Sequence, residues 1–284
     1  MNIPFNVDLC GKVAVVTGAG GVLCSDFAKA IAACGAKVAL LDINLEAAER
    51  FAAEIRAEGA TAIAVKANCL DKASLEEAKA TVERELGSCD ILINGAGGNN
   101  PKATTANEYF DIEALENGEV QDFFSLSPDG FRFVFDLNVT AAFLTTQVFC
   151  REMAKSGKGG SIINISSMNA YRPLTKIPAY SAAKAAVSNF TQWLAVHFAN
   201  ANIRVNAIAP GFFVSNQNRA LLFNPDGSPT PRTNKILGGT PMRRFGEASE
   251  LIGGLLFFLS DAAASFITGV VLPIDGGFSA YSGV

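Results

Sequence analysis

The 284-residue sequence contains one histidine, His197, and none of its six cysteines forms a CxxC pair. Zinc sites are usually built from clustered histidines or paired cysteines, so we predict no metal site. We expect the six thiols to be reduced and buried, as in a cytoplasmic protein. The single histidine is expected to be a packed or interface residue of a helix.

Charged residues are also scarce. Lys, Arg, Asp and Glu make up only 18% of the sequence, and the net charge is −4. The chain has no run of Lys and Arg, which argues against nucleic acid or an anionic membrane as a partner. The low charge favours extensive buried surface, either in a sheet covered on both faces or at subunit contacts.

Long apolar runs are missing as well. No stretch approaches the ~18 consecutive apolar residues of a membrane-spanning helix. The N-terminus lacks the basic and apolar regions of a secretory signal. We therefore expect a cytoplasmic protein with no membrane partner.

The first positive signal is a glycine-rich turn. Residues 13–16 are apolar and mostly β-branched, Thr17-Gly18-Ala19-Gly20-Gly21 follows, and residues 22–34 have a helical pattern. A strand, a glycine turn and a helix open the dinucleotide-binding βαβ unit. Its glycines let the backbone approach a pyrophosphate at the N-terminus of the helix.

Asp42 ends the second predicted strand, 24 residues after Gly18. A carboxylate at about this spacing binds the ribose diol of a dinucleotide and would repel a 2′-phosphate. Neither Arg nor Lys stands in the glycine turn or directly after Asp42. The sequence therefore favours NAD over NADP.

Strand and helix patterns continue to alternate along the chain. Further strands are predicted at 37–41, 61–66, 90–94, 159–165, 203–208 and 269–274, and further helices at 45–58, 72–86, 131–153, 178–199 and 247–259. This alternation predicts one α/β domain over residues 1–284, a doubly wound Rossmann fold with a seven-stranded parallel sheet. Ligands of such a sheet bind beyond the carboxyl ends of its strands.

Two long insertions, at about 98–130 and 212–246, interrupt this alternation. Segments of this length inside a compact domain are usually functional or carry short elements of their own. Because the first begins at the carboxyl end of a strand, we predict that it forms a lid. We also predict a short helix near 217–222 and a packed aromatic tail over 278–284.

Tyr180 and Lys184 are four residues apart in a predicted helix, so they share one face. A tyrosine with a pKa near ~10 is a poor acid or base at neutral pH. A nearby cation favours the phenolate and lowers that pKa. The pair is therefore a candidate general acid/base, although a surface pair without function has the same spacing.

Four features occur in a fixed order: Thr17-Gly18 after the first strand, Asn94-x-Ala96-Gly97 after the fourth, Ser167 after the fifth, and Tyr180-x-x-x-Lys184 in the next helix. Together they resemble the short-chain dehydrogenase/reductase family over nearly the whole chain. Pro210-Gly211-x-x-x-Ser215 resembles the next cofactor segment of that family.

The resemblance implies a role for each matching residue. Tyr180 would be the acid/base on the substrate oxygen, and Ser167 would hydrogen-bond to that oxygen. Lys184 would hold the nicotinamide ribose and lower the pKa of Tyr180, while Asn138 would anchor a water molecule. The implied NAD-binding residues are Gly18, Gly20, Gly21, Val22, Leu23, Asp42, Asn68, Cys69, Asn94, Ala96, Gly97, Tyr180, Lys184, Pro210, Gly211, Phe213 and Ser215.

Two departures from the family pattern concern the cofactor site. The family's turn is usually TGxxxGxG, but Val22 and Cys24 stand at its later glycines. Gly20 and Gly21 are placed to supply the flexibility one step earlier. Asn68 stands where many members have Asp, and its side-chain carbonyl retains a hydrogen-bond acceptor.

Within this family, the runs at 97–105, 165–184, 209–223 and 275–284 are similar to the D-mannonate oxidoreductases, which interconvert D-fructuronate and D-mannonate. A sugar acid needs cations for its carboxylate and amides or hydroxyls for its alcohols. The candidate substrate residues are Asn99, Lys102, Ser167, Asn169, Lys176, Gln217, Asn218 and Arg219.

The resemblance leaves other functions open. Another sugar or polyol dehydrogenase would use the same residues, and a non-catalytic nucleotide-binding regulator could share the fold. The family also suggests a homodimer or homotetramer built on the helices predicted at 131–153 and 178–199.

Overall fold

The computed structural model describes residues 7–118, 120–214 and 219–283. The core of the molecule is one parallel sheet with the strand order β3-β2-β1-β4-β5-β6-β7. The strands are β1 (Val13–Thr17), β2 (Lys37–Asp42), β3 (Ala62–Lys66), β4 (Ile91–Asn94), β5 (Gly160–Ile165), β6 (Ile203–Pro210) and β7 (Val271–Ile274). The predicted seven-stranded parallel sheet is confirmed, and each strand boundary agrees with its prediction to within two residues.

Helices cover both faces of the sheet. They are α1 (Val22–Ala33), α2 (Leu45–Ala57), α3 (Lys72–Glu85), α4 (Ile112–Asn117), α5 (Pro128–Phe135), α6 (Ala141–Ser156), α7 (Pro178–His197), α8 (Arg219–Leu222), α9 (Pro231–Gly239), α10 (Ser249–Leu259) and α11 (Asp261–Ala264). Alternate residues of β1 point to opposite faces, as the pleat of a strand requires. Ala14 and Val16 pack on the side of α1 and α10, whereas Val13 and Val15 pack on the side of α3 and α6.

The helix predicted at 131–153 is part of a longer helical stretch, Pro128–Ser156. It starts earlier because Ser127 caps its N-terminus, accepting a hydrogen bond from the Gly130 N–H at 3.2 Å, and Pro128 occupies the first turn. One π-helical turn, Asp136–Thr140, separates α5 from α6. The sequence pattern did not predict this turn.

The stretch Pro128–Ser156 is also long and apolar enough to cross a membrane by length and composition, contrary to the prediction that no segment is. Half of its most apolar window is buried in the protein. Because α6 packs against α3 and the sheet, the apolar character of this stretch is explained by the core.

The two insertions carry short elements of their own. The first contains a 3₁₀ turn, Pro101–Ala103, and α4; the second contains α8 and α9. The predicted short helix corresponds to α8, although residues 217 and 218 lie outside the described residues. The prediction missed α9, which Thr230 caps by accepting a hydrogen bond from the Thr233 N–H at 3.3 Å. In the tail, Phe278 packs edge-on against Phe212, with ring centroids 5.2 Å apart.

Candidate active site

The glycine turn after β1 lies against the end of β4. Gly18 has a φ of +67°, and a Cβ added there would lie 2.9 Å from the backbone nitrogen of Ala96. Only glycine suits both constraints. The Thr17 hydroxyl accepts a hydrogen bond from the Gly95 N–H at 3.0 Å and donates one to the Ile93 carbonyl at 3.3 Å, so it ties the ends of the two strands together.

The departures at Val22 and Cys24 fit this packing. Helix α1 begins at Val22, directly after Gly21. The Cys24 side chain is buried, and its sulfur occupies the space that a Cβ on Gly95 would need. The close approach of helix and strand is therefore obtained with a glycine on the strand side and a small side chain on the helix.

Asp42 reaches the glycine turn from the end of β2. One carboxylate oxygen accepts a hydrogen bond from the Gly20 N–H at 2.9 Å, and the other accepts one from the Asn44 N–H at 2.8 Å. A Cβ on Gly20 would lie 3.0 Å from the carboxylate. The turn and the carboxylate therefore fix each other's position.

A groove of about 660 Å³ runs along these strand ends. Its volume and its polar and apolar lining suit a bound small molecule. The predicted cofactor residues that line it are Gly18, Gly20, Gly21, Val22, Leu23, Asp42, Asn68, Cys69, Ala96, Gly97, Tyr180, Lys184, Pro210, Gly211 and Phe213. Ser215 lies outside the described residues.

Some groove residues were not predicted from the sequence: Cys24, Ile43, Asn44, Ala47, Ala67, Leu70 and Leu137. Ile43 had a usable signal, because it is apolar and directly follows the strand-ending Asp42. It is 66% exposed at the edge of the groove, where a flat apolar ring could cover it.

The structure corrects the prediction that Asn94 lines the cofactor groove. It is buried, and its amide donates hydrogen bonds to the Thr146 hydroxyl at 2.9 Å and to the Asn164 carbonyl oxygen at 2.8 Å, while its own oxygen accepts one from Thr145. It does not line the groove. Its side chain joins β4 to β5 and α6, because a buried amide must satisfy its own donors and acceptors.

Asn68 borders the groove at the end of β3. Its side-chain oxygen accepts a hydrogen bond from the Leu70 N–H at 3.0 Å. An amide oxygen has two lone pairs, so one acceptor position remains for a ligand.

Ser167, Tyr180 and Lys184 meet at one edge of the groove. β5 ends at Ile165, and α7 brings back the tyrosine and the lysine on one face. The Lys184 ammonium donates a hydrogen bond to the Ile165 carbonyl at 2.7 Å and lies 5.5 Å from the centre of the Tyr180 ring. The structure thus brings together three of the four predicted catalytic residues at the end of one strand.

Burial dominates the electrostatics of this group. It raises the pKa of the Tyr180 phenol above its ordinary value, and the hydrogen bond with the Ser167 side chain opposes that rise. Burial also lowers the pKa of Lys184 to about 8. In the protein alone the pKa of Tyr180 is therefore raised, because desolvation of the phenolate is the largest influence on it, and the lowering by Lys184 stays a prediction.

Asn138, the fourth predicted catalytic residue, lies in the π-helical turn. Its amide nitrogen donates to the carbonyls of Gly98 and Val134 at 2.7 Å each, and its oxygen accepts from the Gly98 N–H at 3.2 Å. A Cβ on Gly97 would meet both Asn138 and Lys184. Such turns are frequent at functional sites; here it fixes the start of the first insertion beside Lys184, and the water-anchoring role stays a prediction.

Two substrate candidates lie in the connection that joins Ser167 to Tyr180. Asn169 is 4% exposed, and its buried side-chain oxygen has no hydrogen-bond partner within the described parts of the chain. Lys176 has a φ of +72°, and its carbonyl accepts a hydrogen bond from the Thr105 N–H at 2.8 Å. The first insertion therefore contacts this connection directly.

The other substrate candidates are farther along the two insertions. Asn99 donates to the Thr104 hydroxyl at 2.9 Å, Lys102 is exposed, and Arg219 packs over the ring of Phe223. None of these three side chains bonds to Ser167 or Tyr180 within the described residues. Gln217 and Asn218 lie outside them.

No group of three or more His, Cys, Asp and Glu side chains among residues 7–118, 120–214 and 219–283 could hold a metal ion. The groups at the strand ends are instead a phenol, a hydroxyl, an ammonium and two amides. Such a set can position and protonate a carbonyl oxygen next to a bound dinucleotide.

Comparison with known proteins gives a consistent result. The family model described as short chain dehydrogenase matches residues 12–222. An oxidoreductase of Haemophilus influenzae is 57% identical over 100% of this chain and 99% of its own length. The oxidoreductase UxuB of Bacillus subtilis is 52% identical over 99% of this chain and 100% of its own. A Haemophilus protein solved with bound NAD, and provisionally assigned as a D-mannonate oxidoreductase, covers both chains fully at 57% identity with a TM-score of 0.94.

Proposed function

The chain belongs to the short-chain dehydrogenase/reductase family, and we propose that it is an NAD-dependent oxidoreductase that interconverts D-fructuronate and D-mannonate. The observation that carries the proposal is the meeting of Ser167, Tyr180 and Lys184 at the edge of a groove that also holds Asp42. The NAD-containing relative and the four similar sequence runs support the cofactor and the substrate.

NAD fits the residues of the groove. Gly18, Gly20 and Gly21 line the groove at the N-terminus of α1, where a pyrophosphate is attracted by the helix dipole and backbone N–H groups. The Asp42 carboxylate is fixed by two backbone N–H groups and can accept hydrogen bonds from the ribose diol. Its negative charge disfavours a 2′-phosphate, which supports NAD over NADP.

The reaction is a hydride transfer, and the nicotinamide cofactor supplies or accepts the hydride when it is bound. In the reduction of a ketone, Tyr180 donates its proton to the carbonyl oxygen, and the Ser167 hydroxyl donates a hydrogen bond to that same oxygen. The raised pKa keeps the Tyr180 phenol protonated at neutral pH, which suits this direction. Oxidation of an alcohol requires the phenolate as base.

The polyhydroxy substrate is supported by Asn169. Its buried side-chain oxygen has no hydrogen-bond partner in the described residues, which costs roughly 1–3 kcal/mol, and such an acceptor usually binds a donor of water or a ligand. Asn169 is two residues beyond Ser167, and its backbone N–H donates to the Ser167 hydroxyl at 3.3 Å. We assign it to a substrate hydroxyl near the reacting carbon.

A substrate panel tests the proposal. Purified protein is assayed by NADH absorbance with D-fructuronate, D-mannonate, other sugar acids and neutral polyols. We expect the highest kcat/KM for D-fructuronate reduction, with NADH preferred over NADPH. Faster turnover of another polyol would assign a different dehydrogenase activity, and NADH binding without turnover would favour a regulatory protein.

We also propose that the protein is a homodimer or homotetramer that joins through α6 and α7. The outer face of α7 is apolar: Trp193 is 57% exposed and stacks on His197, with ring centroids 4.6 Å apart. Phe143 on α6 extends this face beside Phe190. Light scattering of Trp193→Glu should show a smaller species than the native protein; an unchanged mass would exclude this face as the interface.

A further inference from the structure

An ion pair joins the two insertions. The Lys235 ammonium on α9 lies 2.9 Å from a carboxylate oxygen of Glu108, which belongs to the first insertion. Glu108 is also exposed to the positive charges of Lys176 and Arg232, and these cations together hold the pKa of its carboxyl below the ordinary value. Three cations from two separate segments, Lys176 before α7 and the pair Arg232 and Lys235 on α9, therefore act on one carboxylate.

The first insertion brings this carboxylate towards the catalytic residues. Thr105 donates its backbone N–H to the carbonyl of Lys176, and Lys176 is four residues before Tyr180. Glu108 follows three residues after Thr105. It therefore stands beside the connection that carries the catalytic tyrosine, and Lys235 contacts it from the opposite insertion.

The backbone holds the cations in place. Lys176 has a φ of +72°, a conformation that side-chain-bearing residues rarely adopt and that the contact with Thr105 maintains. On α9, Arg232 and Lys235 are one turn apart and both exposed, whereas Thr233 and Ile236 of the same helix are buried. The buried residues anchor α9 with its two cations directed away from the core.

We propose that Lys176, Arg232 and Lys235 form the binding site for the substrate carboxylate, and that Glu108 is an internal competitor for it. This inference rests on the proposed sugar-acid substrate. The side chain of Glu108 shows that a tethered carboxylate binds Lys235 at hydrogen-bonding distance, with Lys176 and Arg232 close enough to act on its charge. An exposed ion pair stabilises by only about 0–1 kcal/mol, so a substrate carboxylate can replace Glu108 at little cost.

The Glu108–Lys235 contact has an alternative explanation, which predicts the opposite change in substrate binding. If the Glu108–Lys235 pair were a latch that closes the two insertions over the substrate, removing its charge would weaken substrate binding. If Glu108 competes with the substrate, removing its charge must strengthen binding. The direction of the change in KM therefore distinguishes the two.

The experiment uses Glu108→Gln and Lys235→Gln in the full-length protein. KM is measured for D-mannonate and for its neutral counterpart D-mannitol, and calorimetry gives the Kd of D-mannonate for the complex with NADH. The matched control is Glu152→Gln, which removes the carboxylate of the Glu152–Lys155 pair on α6, also joined at 2.9 Å.

We expect Glu108→Gln to lower KM and Kd for D-mannonate by roughly two- to fivefold without changing kcat, as the loss of a competing exposed pair predicts. Lys235→Gln should raise both by roughly tenfold, because it removes a charge-assisted hydrogen bond to the carboxylate. Neither variant should alter KM for D-mannitol, and Glu152→Gln should change nothing.

A higher KM in Glu108→Gln would show that Glu108 does not compete with the substrate and that its pair with Lys235 closes the two insertions instead. Equal changes for D-mannonate and D-mannitol, or no change in either variant, would show that no carboxylate binds here. If the native protein binds D-mannonate with the expected dependence on Glu108 and Lys235 but does not oxidise it, the site stands and the proposed reaction is wrong. If D-mannonate does not bind at all, both are wrong.

Discussion

The strand ends and the two insertions above them are built in different ways. At the strand ends, polar side chains are buried and bonded to one another: Asn164 accepts a hydrogen bond from Asn94 and donates one to Thr191 on α7, both at 2.8 Å. This series of hydrogen bonds fixes α7, the helix that carries Tyr180, to the sheet. The groups proposed to carry the chemical step are therefore held by core packing.

The insertions, in contrast, expose large aromatic side chains of the kind that are usually buried. In the first, Tyr109 is 81% exposed and Phe124 is 71% exposed, and Phe110 contacts Phe124 edge-on at 6.1 Å. Gln121 holds the segment together by donating hydrogen bonds to the carbonyls of Pro101 and Thr104. A region with so little buried apolar surface has low local stability. If the proposed function holds, the chemical step would depend on rigid core groups and substrate selection on weakly held segments.

The largest effect that sharpens this comparison is expected at Tyr180. Tyr180→Phe removes the proton donor while keeping the ring, so kcat should fall by roughly 10²–10⁴-fold with unchanged NADH affinity. The control is Tyr171→Phe, which removes a hydroxyl bonded to the Val271 carbonyl at 2.7 Å. Steady-state assays and NADH titration measure both. Native-like turnover in Tyr180→Phe would refute its role as the acid.

The next effect compares the stability of the two regions. Leu92 in β4 is fully buried, and Leu92→Ala should lower the free energy of unfolding by roughly 2–5 kcal/mol. Phe124→Ala in the first insertion should lower it by less than about 0.5 kcal/mol. Urea denaturation followed by circular dichroism gives both values. Similar losses would mean that the insertion is part of the cooperative core.

Asp42 tests the cofactor side of the strand ends. Asp42→Asn keeps the acceptor for the Gly20 N–H but removes the charge, and NADH affinity should fall by roughly 10–100-fold while NADPH affinity falls less. Asp71→Asn is the matched control, since Asp71 only caps α3 by accepting from the Ala73 N–H. Equal losses of affinity for NADH and NADPH would show that the Asp42 carboxylate does not distinguish a free ribose diol from a 2′-phosphate.

The smallest expected effect concerns the buried ammonium of Lys184. Its pKa is lowered to about 8 from 10.5 in the unfolded chain, so at pH 7 the folded protein holds a charge that costs stability. Between about pH 8 and 10.5 the folded protein loses this proton first, and the free energy of unfolding rises. Relative to Lys184→Met, the native protein should gain about 1–2 kcal/mol from pH 7 to pH 10. Denaturation at the two pH values measures it; a constant difference would mean that the pKa is not lowered.

Local spacing in the sequence was sufficient to predict the sheet and most of the residues that line the groove. The apolar β-branched runs predict the strands because burial on both faces needs continuous apolar stretches. Thr17-Gly18 and Asp42 follow two of these runs, and parallel strands bring their carboxyl ends to one edge. Tyr180 and Lys184 share one face of their helix whatever the tertiary structure is. The order of the motifs along the chain indicated the protein family.

The sequence alone did not determine what depends on contacts between distant segments. Asn94 has the sequence position of a cofactor residue, but its neighbours Thr146 and Asn164 satisfy its amide inside the core. The pKa of Tyr180 follows from its burial, which spacing does not reveal. Glu108 and Lys235 are 127 residues apart, and only the packing of one insertion against the other joins them. Spacing fixes the geometry of neighbours along a strand or helix, whereas burial and long-range charge contacts arise only when the chain has folded.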